Sequence, residues 1–221
     1  MSGASGEATQ GPMVPAMAGG VEIPPEPPEI GGRALTVASR MLCGASTFFF
    51  LAFLFAYFYL RSIDADGMWH PAHVKPNQGL GVAFIVCIVL SALSSIVAGR
   101  RMKAKSRAWL APGIAAVVLG LVAVALQCVE YTVQHFGPTN GAYASVFCAW
   151  TGFYLIAVLF TMYWLETQVA TEARARRAPA GSEGDISEPD RLIAPALDAA
   201  VFYWSFLAAI GIVTYVTLYL L

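Results

Sequence analysis

Charge is scarce in this sequence. Only 12% of its 221 residues are Asp, Glu, Lys or Arg, while 57% are hydrophobic. A water-soluble domain carries about a quarter charged residues. A chain of this size with half that fraction has more apolar surface than its own core can hide, and the surplus must face lipid. The mean hydropathy of +0.63 agrees. A formal net charge of −1 supplies no basic stripe to neutralise phosphates, which argues against nucleic acid as a partner.

Several chemistries lack their residues. The three histidines, His70, His73 and His135, all fall in polar connections, whereas haem or copper inside a helix bundle needs imidazoles projecting from helices. His70 and His73 flank Pro71 and read as solvated loop residues. Cys43, Cys87, Cys128 and Cys148 each sit in an apolar run with no CxxC or Cys/His pairing; they read as small buried thiols, not zinc ligands. No phosphate-cradling glycine loop, GxSxG or HExxH occurs. The expected catalytic, cofactor and metal residues are therefore none. The N-terminus lacks the basic and apolar regions of a secretory signal. Its Gly/Pro-rich stretch, with Pro24, Pro25, Pro27 and Pro28, predicts a disordered tail over residues 1–34.

Long hydrophobic runs are what the sequence does contain. A membrane helix needs about 20 mostly apolar residues, and five segments qualify: 41–60, 80–99, 109–131, 144–165 and 199–221. The expected fold is an all-α integral membrane protein, a five-transmembrane-helix bundle over residues 35–221. Orientation follows the Lys and Arg of the short connections. With the N-terminus inside, eleven of the thirteen fall on the inner side, so the N-terminus is expected to be cytoplasmic and the C-terminus external. Tyr57, Tyr59, Trp109, Tyr163, Trp164 and Tyr219 stand at span ends and read as an interfacial aromatic belt.

Small residues at helical spacing mark packing faces, since helices in lipid associate where backbones can approach. Ser91, Ser95 and Gly99 form one such face, and Ala144, Cys148 and Gly152 another. Gly113, Ala116, Gly120 and Ala123 form a third, which leads to Gln127 and Glu130 on the same side. These faces are expected to pack the bundle and to dock it against a partner subunit. Glu130 is the one ionisable residue between the ends of the five segments, so no proton relay of the kind pumps need is present. It reads either as an interfacial helix end or as a buried contact in which Gln127, Glu130 and Tyr131 tie the third helix to a neighbour or to lipid.

Together these residues resemble subunit III of the haem–copper oxidases. Leu54-Phe55-Ala56-Tyr57-Phe58-Tyr59-Leu60-Arg61, followed by Trp69-His70-Pro71, carries part of the likeness. Gln127-Cys128-Val129-Glu130-Tyr131 is similar to the family's Q-x-x-E-Y. Gly141-Ala142-Tyr143-Ala144-Ser145-Val146-Phe147 and Thr151-Gly152-Phe153 resemble its next elements, and Phe202-Tyr203-Trp204 the start of its last helix. The departures are Thr47 in place of a carboxylate, Tyr154 and Ala157 in place of two histidines, and Ser205 and Ala208 in place of a histidine and an aspartate. In the family those polar residues hold helices together, contact lipid headgroups and sit near proton entry.

The resemblance implies a non-catalytic, subunit III-like component of a bacterial respiratory terminal oxidase of the cytochrome c oxidase type, in the bacterial cell membrane. Its partners would be catalytic subunit I, other subunits and membrane lipids, with haem and copper held by the catalytic subunit. An accessory subunit of nitric oxide reductase is the alternative with the same fold. A small membrane transporter is the alternative of another class, disfavoured by the odd span count, the absence of internal repeats and the uncharged core.

Overall fold

The computed structural model describes residues 28–64, 69–71, 74–104, 106–175 and 188–221. They form five α-helices: α1 (Pro28–Ser62), α2 (Gln78–Lys103), α3 (Leu110–Val133), α4 (Ala142–Ala175) and α5 (Glu188–Tyr215), the last continued by a π-helical turn, Val216–Leu220. Each is long and apolar enough to cross a membrane, and no strand occurs among the described residues. The chain is an all-helical, multi-pass membrane protein.

The helices are longer than the apolar runs that announce them. α1 begins at Pro28, inside the segment expected to be a disordered tail over 1–34; residues 1–27 lie outside the described residues. Proline at a first helical position has no N–H to leave unpaired. The start of α1 is then held by α5: a side-chain carbon placed on Gly32 would lie 3.2 Å from Pro195 Cγ, and Ser39 is buried. α2 carries Arg100, Arg101 and Lys103 in its last turn, where cations favour the helix dipole. Its first turn is capped by Asn77, whose Oδ1 accepts from the Leu80 N–H at 3.2 Å. A 3₁₀ turn, Arg107–Trp109, joins α2 to α3, and the Ala108 N–H donates to Ser106 Oγ there. Ahead of α4, Gly141 has φ 137°, a conformation that glycine alone adopts without strain.

α5 packs on α1, α2 and α4; α3 packs on α2 and α4; α4 also meets α1. The helices thus close a ring in the order α1, α5, α2, α3, α4, with α4 and α5 touching across it. Trp150, Trp204, Tyr57, Tyr154 and Phe147 fill the middle and are almost wholly buried. The polar tips of Trp204 and Tyr154 find partners, as burial favours, whereas Trp150 Nε1 has none among the described residues. Trp204 Nε1 donates to Ser91 Oγ at 3.1 Å, Ser91 Oγ donates to the Ala116 carbonyl, and Tyr154 Oη donates to the Leu207 carbonyl at 2.8 Å.

The small-residue faces of α2 and α3 lie inside this ring, while on α4 Ala144 is buried and Cys148 and Gly152 are half-buried. Ser91, Ser95 and Gly99 are buried on α2, and Gly113, Ala116, Gly120 and Ala123 on α3. Gly113 lies against Val169 and Gly120 against Met162, both on α4. The expectation that these faces dock the bundle against a partner is therefore corrected: the neighbours they admit belong to the same chain. Large side chains such as Phe48, Phe55, Phe160 and Tyr163 point outward instead.

The aromatic belt is corrected in part. Tyr59 and Tyr163 are exposed, but Tyr57, Trp109 and Tyr219 are buried within the bundle, because the helix ends on which they stand converge. Cys128 is exposed on the outer face of α3, unlike the other three cysteines, which are half-buried; all four are free thiols.

Candidate functional site

Gln127 and Glu130 stand three residues apart on α3, close to one face of the helix. Both are buried, at 2% and 1% exposure. Gln127 Nε2 donates to Glu130 Oε2 at 2.9 Å. The same oxygen accepts from Tyr219 Oη at 2.7 Å. Glu130 Oε1 has no hydrogen-bond partner among the described residues. Both donors therefore converge on one oxygen of the carboxyl group. Of the two readings of Glu130, the structure has the buried contact and not the interfacial helix end, and the helix it reaches is α5.

Tyr219 reaches Glu130 through the π turn that ends α5. A π turn widens the helix by one residue and so turns the side chains after it to a different face. Side chains from two further helices grip the backbone of this turn: Gln78 Nε2 of α2 donates to the Tyr219 carbonyl, and Tyr143 Oη of α4 donates to the Leu218 carbonyl. The Tyr219 ring lies against Gly81 of α2, where an added side-chain carbon would come 2.7 Å from Tyr219 Cδ1. Phe147 meets the ring edge-on at 5.6 Å between centroids, and Tyr215 stacks on it at 5.2 Å. Four helices thus meet around one carboxyl group.

Tyr131 belongs to another contact. One residue on from Glu130, it points about 100° further round the helix. Its Oη lies 2.7 Å from Thr151 Oγ1 of α4. Thr151 gives its own proton to the Phe147 carbonyl at 2.6 Å, so Tyr131 is the donor. The predicted trio therefore divides, with Gln127 and Glu130 facing α5 and Tyr131 facing α4. Tyr219, Gln78, Tyr143 and Gly81 are the members that sequence reasoning missed.

At the positions where the sequence departs from the resemblance, the hydroxyls are turned onto backbone carbonyls. Thr47 Oγ1 donates to Cys43 at 2.8 Å and Ser205 Oγ to Val201 at 2.7 Å, while Tyr154 crosses to α5 as described and Ala208 is buried. Tyr203 Oη lies 3.0 Å from Ser46 Oγ, which joins α5 to α1. His70 packs on the Tyr143 ring at 4.5 Å, His135 is exposed, and His73 lies outside the described residues. Among the described residues no three His, Cys, Asp or Glu side chains gather as a metal site would require. What the cluster at Glu130 can do is hold helix ends in register, since Gln127 Nε2 and Tyr219 Oη both turn onto Glu130 Oε2.

The sequence profile of the family described as cytochrome c oxidase subunit III matches residues 32–221. Cytochrome c oxidase subunit 3 of Latimeria chalumnae is 26% identical over 199 residues, covering 85% of this chain and 69% of the relative. That of Gallus gallus is 26% identical over 198 residues, with the same coverage. That of Ornithorhynchus anatinus is 27% identical over 182 residues, covering 79% of this chain and 65% of the relative.

Proposed function

The chain belongs to the cytochrome c oxidase subunit III family, and we propose that it is the non-catalytic, subunit III-like member of a bacterial respiratory terminal oxidase. In this reading catalytic subunit I carries haem and copper and reduces oxygen. This chain packs beside it in the bacterial plasma membrane, N-terminus cytoplasmic and C-terminus external, and stabilises it.

One observation carries the non-catalytic part. Glu130, the single ionisable side chain between the ends of the five apolar runs, accepts both of its hydrogen bonds from Gln127 and Tyr219 of the same chain. A carboxyl buried to 1% exposure and engaged in this way ties α3 to α5. Gln127, Glu130 and Tyr131 accordingly act as structural residues, the first two joining α3 to α5 and the third joining α3 to α4. With the small-residue faces used inside the ring, contact with the catalytic subunit falls to the large outward side chains of the helices.

The test is purification of the tagged chain from its native membrane in mild detergent, with its companions identified by mass spectrometry. A haem–copper oxidase subunit I recovered in stoichiometric amount is the expected result. Recovery of a nitric oxide reductase catalytic subunit, or of the chain alone under conditions that preserve other respiratory complexes, would overturn the proposal.

A further inference from the structure

α2 begins beside the Glu130 carboxyl. Gln78, its first residue, donates to the Tyr219 carbonyl. Gly81 lies against the Tyr219 ring, whose hydroxyl reaches Glu130 Oε2. The Asn77 N–H, at the lip of this helix start, faces the carboxyl. Asn77 also serves the first turn: its Oδ1 takes the Leu80 N–H and its carbonyl the Gly81 N–H. Glu130 Oε1, in a residue only 1% exposed, receives no hydrogen bond among the described residues. A buried acceptor without a donor is rare in native structures. This one stands against a helix N-terminus, where N–H groups and the helix dipole gather positive potential.

The two sides of this junction demand opposite things of a ligand. The N–H side repels a cation and needs an acceptor. The Oε1 side repels an anion and needs a donor. A water molecule is both. We propose that a water molecule is bound between Glu130 Oε1 and the N-terminus of α2, accepting from the Asn77 N–H and donating to Oε1. A buried water commonly makes about two to four such bonds, and a bridge of this kind is nearly as favourable in enthalpy as a direct bond. Its route is the cleft of about 410 Å³ that opens at this end of the bundle, which Pro76 and Gln78, on either side of Asn77, line together with Tyr219. The water ties α2 to the joint between α3 and α5, so that three helices share one carboxyl group through both of its oxygens. The inference rests on the reading of Glu130 as a structural residue and is independent of which catalytic subunit the chain accompanies. A missing water would leave the purification test of that partner untouched.

The experiment is water-edited solid-state NMR on the full-length, isotope-labelled chain in lipid bilayers. The Glu130 carboxyl signal is the one lost in Glu130→Gln. It should receive polarisation from water, as the carboxyl of the exposed Glu166 does, while the carbonyl of the wholly buried Ala200 should not. Two substitutions separate the N–H from the cap. Asn77→Ala removes the capping side chain and keeps the N–H; Asn77→Pro removes both, and φ −77° at this position suits proline. Transfer to Glu130 should persist in the first and be lost in the second. A density map of the native complex that resolves waters should also show a peak within hydrogen-bond distance of Oε1 and the Asn77 nitrogen. Should the proline variant fail to fold, the parent's transfer and the density decide. The proposal is overturned if the Glu130 carboxyl receives no more than Ala200 does, if Asn77→Pro keeps the transfer, or if Asn77→Ala loses it. It is overturned equally if the map has no such peak, or if the peak vanishes when sodium and potassium are left out.

Discussion

Both donors at Glu130 point at Oε2, while Oε1 is unpartnered among the described residues. This asymmetry separates an isosteric substitution from a truncating one. Glutamine at this position can place its carbonyl oxygen where Oε2 stands and keep both bonds, its amide nitrogen taking the place of the unpartnered oxygen. Alanine removes the acceptor and leaves Gln127 and Tyr219 with buried, unpaired donors, each of which costs about 1–3 kcal/mol in protein interiors and somewhat less among membrane helices. Thermal unfolding of the purified chain in detergent should show Glu130→Ala destabilised by about 1–3 kcal/mol and Glu130→Gln within about 0.5 kcal/mol of the parent. Equal damage from the two would mean that the carboxyl acts through something other than these bonds. The pairing of Gln127 with Glu130 was legible in the sequence because residues three apart share a helix face. Tyr219 was not: it lies 89 residues away, and as a tyrosine closing an apolar run it resembled an interfacial anchor.

The element that brings Tyr219 to the site is the π turn, and the sequence Val216-Thr217-Leu218-Tyr219-Leu220 has no proline or glycine to announce it. The turn is held by tertiary bonds from Gln78 and Tyr143, which a pattern of apolar residues does not encode. The same limit applies to the helix ends. Counting apolar runs finds the part of each helix that lies in lipid, whereas α1, α2, α4 and α5 continue into charged or polar segments that the count leaves out. Glycines within the spans behave differently according to what they face. A methyl at Gly81 would meet the Tyr219 ring, which is held by Phe147, Tyr215 and its own bond to Glu130 on a turn gripped by Gln78 and Tyr143. Gly81→Ala should therefore lower stability by about 1–3 kcal/mol through overpacking. Gly44 has nothing within 4 Å of an added side-chain carbon. There, Gly44→Ala should leave stability unchanged or raise it by up to about 1 kcal/mol through helix propensity. Unfolding midpoints of the two variants check both signs, and a Gly81→Ala protein as stable as the parent would show that the ring yields.

At the scale of the molecule, the five crossings and the family were legible, the first from the length of the runs and the second from motifs concentrated between Gln127 and Phe153. The closed ring was not, because small-residue spacing shows that a face packs without showing against what. Once those faces are turned inward, the described residues present an exterior of large apolar side chains suited to lipid or to another membrane subunit. In the proposed reading such a bundle contributes shape and support, and the oxygen chemistry belongs to a neighbouring polypeptide. The direct test is the visible spectrum and oxygen uptake of the chain purified by itself, compared with the complex from which it came. The account predicts haem absorbance and oxygen consumption in the complex and neither in the isolated chain. A Soret band that stays with the isolated chain, or oxygen uptake by it, would contradict the account.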